Sequence, residues 1–121
     1  MKAVLDSDVL IDFLQGVEAA RAELNRYSQP CYSVISWLEL MCGAESDAER
    51  ASVETLLNSL YRIDLTLKIA RIAVLERQGS GLKLPDAIVL ATADAEGCIL
   101  VTRNTKDFDP HDPRVRFPYT L

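Results

Sequence analysis

Ala3-Val4-Leu5-Asp6-Ser7-Asp8-Val9-Leu10 is the stretch that decides the fold. An apolar run that ends abruptly on an acid reads as a parallel strand buried on both faces, since such strands carry continuous apolar residues rather than alternation. Ser7 stands where a helix can start, and Val9, Leu10, Phe13 and Leu14 recur at helical spacing until Gly16 stops them. Residues 17–27 predict a second helix through Val17, Ala20 and Leu24. Pro30 then breaks the chain before a short strand over 31–33. Residues 34–42 form a helix with almost no polar stripe, so it is expected to be buried on more than one side, in a core or against a partner. Ser46 and Glu49 make a capping box for a helix to about residue 60.

The second half repeats this alternation. Residues 62–64 predict a weak strand, and 66–78 an amphipathic helix with Leu67, Ala70, Ala73 and Val74 on one side. Gly79-Ser80-Gly81 reads as a flexible turn. Pro85 suits the first turn of a helix over 85–96, closed by Gly97. A buried strand over 98–101, a polar loop over 102–109 and a last strand over 115–117 complete the chain. Strands alternating with helices predict an α/β class with a mainly parallel sheet of four to five strands, residues 1–121 forming one domain.

Composition narrows the function. The chain has 121 residues, 49% of them hydrophobic and 26% charged, which suits a globular domain with a core of its own. A net charge of -5 argues against a basic DNA-coating protein. One histidine excludes chemistry that needs two imidazoles. Cys31, Cys42 and Cys98 offer no CxxC pair and read as three small buried hydrophobes in a reducing compartment. With a charge at Asp6 and no apolar run near the length of a membrane span, a soluble cytoplasmic protein is expected.

In a parallel sheet, functional groups gather at the carboxyl ends of strands. Asp6 follows the first strand, Asp86 falls in the first turn of the 85–96 helix, and Asp107 lies in the loop after the 98–101 strand. Glu39 sits between Leu38 and Leu40 in the most apolar helix, a costly place for a carboxylate unless something satisfies it. Each has a plainer reading: Asp6 as a helix cap, Asp86 as a complement to the helix dipole, Asp107 as a turn acid, Glu39 as a side chain pointing to solvent. Taken together, clustered carboxylates repel unless a cation neutralises them, and hard divalent ions such as Mg2+ and Mn2+ take oxygen ligands.

Four segments carry a resemblance. Ala3-Val-Leu-Asp6-Ser-Asp-Val-Leu-Ile-Asp12, Ser33-Val-Ile-Ser-Trp-Leu-Glu39-Leu-Met-Cys-Gly43, Leu84-Pro-Asp86-Ala-Ile-Val-Leu-Ala-Thr-Ala93 and Leu100-Val-Thr-Arg-Asn-Thr-Lys-Asp-Phe108 resemble, in order and spacing, the motifs of the PIN domain family. The size, with no extra domain, is similar to the VapC-type toxins of toxin–antitoxin pairs. The resemblance implies a three-layer α/β/α sandwich and a Mg2+- or Mn2+-dependent endoribonuclease. It carries Asp6, Glu39 and Asp86 over as the acidic centre: Asp6 and Asp86 as metal ligands, Glu39 as a ligand or as the group ordering the attacking water. RNA would be cut in line, leaving a 5′-phosphate and a 3′-hydroxyl. In many relatives an aspartate follows the Thr-Arg pair where this chain has Asn104, so Asp107 becomes the candidate fourth acid. Asp8 is a further acid at the site, and Ser7 and Thr102 are candidates for holding the carboxylates in place. Arg103 and Lys106 are candidates for RNA backbone contacts, with a solvated surface pair as the alternative. His111 is expected to be exposed.

The resemblance also implies partners: a homodimer, and a VapB-like antitoxin seated in an apolar groove near the site, its basic segment plugging the acids and any DNA contact made only through it. Trp37, Leu40 and Met41 are candidates for groove or dimer contacts, or else for the chain's own core. Two rival readings differ in class. Asp6-Ser-Asp8 after a strand also resembles the first motif of haloacid-dehalogenase-like phosphatases, but Lys68 and Lys83 stand in poor contexts for that chemistry and no later Asp-Asp pair exists. The other rival is a non-catalytic interaction module on a PIN-like scaffold.

Overall fold

The computed structural model describes Met1–Leu121. Its centre is β1 (Lys2–Leu5), whose Ala3, Val4 and Leu5 have no solvent exposure. On one side β1 pairs with β2 (Gln29–Ser33) and on the other with β4 (Ile99–Val101), in parallel register Val4↔Cys31 and Val4↔Leu100. β3 (Tyr61–Ile63) and β5 (Val115–Arg116) close the edges, so the order is β3-β2-β1-β4-β5 and every pairing is parallel.

Parallel strands need helical crossovers, and these cover both faces. Ala3, Leu5 and Val101 face a core shared with α1 (Ser7–Leu14), α2 (Glu18–Asn25), α3 (Val34–Gly43) and α4 (Asp47–Asn58), through side chains such as Leu10, Leu24, Leu40 and Leu57. Val4, Cys31 and Leu100 face the opposite core, filled by α5 (Leu67–Ser80) and α6 (Leu84–Ala95). The three layers and the parallel sheet are those the sequence predicts. No helix is long and apolar enough to cross a membrane.

Three expectations need correction. Gly79 and Ser80 do not turn; they belong to α5, where the Ser80 hydroxyl donates to the Glu76 carbonyl at 2.7 Å. Gly81 alone makes the break, at φ 74°, with its N–H donating to Arg77 O at 3.0 Å. The buried side of α5 is Ile69 and Ala73; of the predicted stripe Ala73 is buried and Ala70 half-buried, but Leu67 is 65% and Val74 51% exposed. The seam with α6 selects that side, since Ile69 and Ala73 share one core with the small Ala87 and Ala91. Finally, only Cys31 is buried; Cys98 is half-buried, and Cys42, in the last turn of α3, is exposed.

The two glycines predict opposite outcomes. Gly81→Ala is expected to lower stability by about 1 kcal/mol, because a Cβ at positive φ is strained. Gly79→Ala is expected to raise it by roughly 0.5–1 kcal/mol, because a Cβ there meets nothing within 4 Å and helical glycine is costly. Urea titration of both variants checks the pair.

Candidate active site

The strand order reverses beside β1, and that crevice at the carboxyl ends of β1 and β4 is where an open parallel sheet offers a binding site. β1 delivers Asp6 there. Its amide continues the ladder by donating to Val101 O at 2.9 Å, and its carboxylate accepts the Ser7 amide at 2.8 Å. Asp6 therefore does cap α1, as the plain reading holds. Capping does not account for its second oxygen, which accepts the Thr102 hydroxyl at 2.8 Å, across from β4.

That hydroxyl has two claimants. Asp8 Oδ2 lies 3.1 Å from Thr102 Oγ1 and also accepts the Arg103 amide at 3.0 Å. One hydroxyl carries one proton, so it cannot serve both carboxylates at once. Asp8 Oδ1 is buried with no hydrogen-bond partner; the Val9 amide favours its charge without meeting hydrogen-bond geometry. Burial, then the neighbouring Asp8 charge, pushes the Asp6 carboxyl up to about 7, and the Asp86 charge adds to this, while the Thr102 and Ser7 hydrogen bonds oppose it. Asp8 is raised as well, first by burial.

Asp86 stands in the first turn of α6, half-buried, where Pro85 starts the helix. Burial raises its carboxyl first; the charges of Asp107, Glu39 and Asp8 follow, with Lys83 the one opposing charge. Asp86 thus faces the other acids of the set. Glu39 is exposed at the site's edge and held by the Ser7 hydroxyl at 2.8 Å. Asn104 and Asp107 act as a pair rather than as alternatives. Asn104 Nδ2 donates to Asp107 Oδ2 at 3.0 Å, the Asp107 amide donates back to Asn104 Oδ1 at 3.1 Å, and the Asn104 amide donates to Thr102 Oγ1 at 3.1 Å.

Other assignments stand differently. Arg103 does not reach outward: its guanidinium Nη2 donates to Asp12 Oδ1 at 2.9 Å and its Nε to Oδ2 at 2.5 Å. Lys106 and His111 are exposed. Leu40 is buried in the chain's own core, and Trp37 and Met41 pack half-buried against it, while Leu38 is 46% exposed. The α3 helix is therefore not buried all round within one chain.

Sequence reasoning passed over three contributors. Ser36, fully buried, lies 2.9 Å from the Ser7 hydroxyl and backs the Ser7–Glu39 bond. Its signal was present: Ser36 and Glu39 are the only polar residues inside an apolar helix and stand three apart, on one face. Asp12 and Tyr119, joined at 2.8 Å, close over Arg103 from positions 107 residues apart, which no local pattern reveals.

What could such a set hold? No group of three acidic, histidine or cysteine side chains is arranged to enclose an ion by itself. The ligating atoms on offer are hard oxygens, Asp6 and Asp8 are offered one hydroxyl proton between them, and one buried oxygen is orphaned. This fits a hydrated ion of the Mg2+ kind, which keeps several waters and takes one or two carboxylates with substrate phosphate. Asp6 and Asp86 are the residues that could hold it.

A parallel sheet with acids at its switch point defines an α/β domain with an acidic site. The PIN domain model matches residues 3–111, and the chain belongs to that family. It is 39% identical to a Mycobacterium tuberculosis protein named Ribonuclease VapC10, over 98% of this chain and 93% of that one. Among solved structures it superposes on a toxin–antitoxin complex from Klebsiella pneumoniae with a TM-score of 0.91 at 38% identity, covering 98% and 99% of the two chains. A DNA-bound VapBC from Salmonella typhimurium matches at 0.77 and 27% identity, covering 96% of each.

The site carries a pH prediction for the metal-free protein. A carboxyl raised from 3.8 to about 7 on folding makes the folded state bind its proton more tightly than the unfolded one. Its stabilising effect is complete below about pH 4 and is lost as pH rises through about 7. Between pH 5 and 7.5 Asp6 alone costs roughly 2–3 kcal/mol, a fall in Tm on the order of 10 °C. Thermal melts in chelator should show that fall in the wild type and a smaller one in Asp6→Asn.

Proposed function

We propose that this chain is a divalent-metal-dependent endoribonuclease, the toxin of a toxin–antitoxin pair that works in the cytoplasm. The observation that carries the reading is the Asp6–Thr102–Asp8 arrangement, in which two buried or half-buried carboxylates share one hydroxyl proton at the switch point of the sheet. The name and identity of the Mycobacterium tuberculosis relative support it.

A bound Mg2+ or Mn2+ would supply charge to hold a phosphate oxygen and to acidify water. The chain's own residues do the rest. Asp6 and Asp86 would hold the ion. Glu39, fixed by Ser7 yet exposed, orients the attacking water and takes its proton, the role of a carboxylate within reach of solvent. Asp107, tied to Asn104 and with its charge felt at Asp86, supplies the fourth acid. Lys83 and Lys106, both exposed near the acids, are placed to contact the RNA backbone, whereas Arg103 is engaged with Asp12. The phosphatase alternative needs a nucleophilic aspartate with a lysine beside it. No lysine is among the charges that shift Asp6; Lys83 acts on Asp86 instead.

The antitoxin has a seat. A groove of about 440 Å3 begins at Glu39 and runs between α1 and α4 past Ile11, Leu14 and Val53. It shares Leu14 and Ser52 with a second hollow of about 460 Å3 lined by Phe13 and Leu56. An apolar helix laid in this groove would bring a following basic side chain to the acids. A second copy of the chain would cover the exposed Leu67, Val74 and Leu75 of α5.

Two tests follow. Induced expression should arrest growth and create discrete new RNA 5′ ends, both absent in Asp86→Asn; the variant's cleavage rate should fall at least about 100-fold. Folded wild type that gives neither arrest nor new ends would favour the non-catalytic module. Ile11→Asp should weaken antitoxin binding by at least about 10-fold with cleavage intact, read by titration with the purified antitoxin.

A further inference from the structure

We propose that Asp12, Arg103 and Tyr119 form a positioning clamp that sets the acidic site by locking the loop after β4 onto α1; this rests on the ribonuclease reading above. Asp12 is 3% exposed and stands one helical turn after Asp8, on the same face of α1. The loop zips along that face. Thr102 gives its hydroxyl, and Arg103 its amide, to the Asp8 carboxylate. One turn on, the Arg103 fork grips both oxygens of Asp12. Tyr119 then closes the far side, its hydroxyl donating to Asp12 Oδ2 at 2.8 Å and its ring lying 6.0 Å from the guanidinium carbon.

The consequence is geometric. Residue 103 adjoins Thr102, the one side chain bonded to both Asp6 and Asp8. Beyond it come Asn104 and Asp107, in a segment without regular secondary structure. The two-point grip on Asp12 fixes residue 103 in place and orientation, as a planar fork does and a single ammonium does not. Without it, the segment is left with single hydrogen bonds to α1, and the Thr102 hydroxyl and Asp107 lose their fixed relation to Asp6 and Asp86.

The molecule contains its own control. Tyr27 donates to the buried Glu23 at 2.6 Å, and Glu23 is forked by Arg116 at 2.8 and 3.1 Å. This second triad has the same chemistry, tyrosine to carboxylate to arginine, but it ties β5 to α2 and bonds to none of the site acids. The two triads differ in reach: Arg116 meets the site only through its backbone carbonyl, which accepts the Thr102 amide at 3.1 Å, whereas Arg103 is itself part of the loop that carries Asn104 and Asp107.

The test compares Tyr119→Phe, Arg103→Lys and Tyr27→Phe in the full chain. RNA cleavage kinetics would be measured beside calorimetric Mn2+ titration without RNA and amide hydrogen exchange over residues 102–108. Tyr119→Phe is expected to lower kcat about 10-fold with KM unchanged, weaken Mn2+ binding by a similar factor and speed exchange in that loop. Arg103→Lys should do the same more strongly, and Tyr27→Phe should change none of the three. Equal effects of the two Tyr→Phe changes on an active enzyme would overturn the clamp, leaving a structural role only. So would an Arg103→Lys variant that raises KM with kcat and Mn2+ affinity intact, since that marks a direct RNA contact. A wild type inactive on every RNA tried would overturn the ribonuclease reading and the clamp with it.

Discussion

One hydroxyl proton offered to two carboxylates is the constraint on which this structure turns. Thr102 stands at the end of β4, Asp6 at the end of β1, and Asp8 in the first turn of α1. Burying Asp6 and half-burying Asp8 in so small a space, with too few donors, costs the fold free energy. The fold contains that cost by surrounding the pair with rigid parts. A central strand without exposure, a parallel partner on each side and a helix capped by Asp6 itself leave the carboxylates little freedom to separate. A cation bound between these carboxylates would relieve their repulsion without any rearrangement of the fold.

The remaining polar architecture serves that centre in layers. Ser36 backs Ser7, and Ser7 holds Glu39 at the solvent edge. Asn104 and Asp107 brace each other beside Asp86. Asp12 anchors the loop through Arg103; burial pushes its carboxyl up, but the hydrogen bonds from Arg103 and Tyr119 prevail and hold it below its usual range. Negative charge is therefore unequally treated within one helix. Asp12 is fully compensated by an arginine and a tyrosine, and Asp8, one turn earlier, is left with an orphaned oxygen. That contrast leaves Asp8, not Asp12, as the uncompensated acid of the helix.

Much of this was legible in the sequence because it is local. The apolar run ending at Asp6, the capping box at Ser46 and Pro85 at a helix start are signals within a few residues, and the structure places each where the pattern predicts. What escaped is what tertiary packing decides. The face of α5 that is buried depends on the α6 seam, so the exposed Leu67 and Val74 looked equally good. The reach of Arg103 depends on Asp12 and Tyr119, far away in the chain. Gly79 looked like a turn because Gly81 lies two residues on, and only the left-handed φ distinguishes them.

We propose that the uncompensated carboxylates at the carboxyl ends of β1 and β4 are a cation site. Anomalous diffraction from crystals grown with Mn2+ tests it most directly. The account predicts a single dominant peak within ligating distance, roughly 2.0–2.2 Å, of an Asp6 oxygen and on the side facing Asp86, with Thr102 keeping its bond to Asp6. Ordered, open crystals with no peak there, or Mn2+ bound only at surface acids elsewhere, would contradict it.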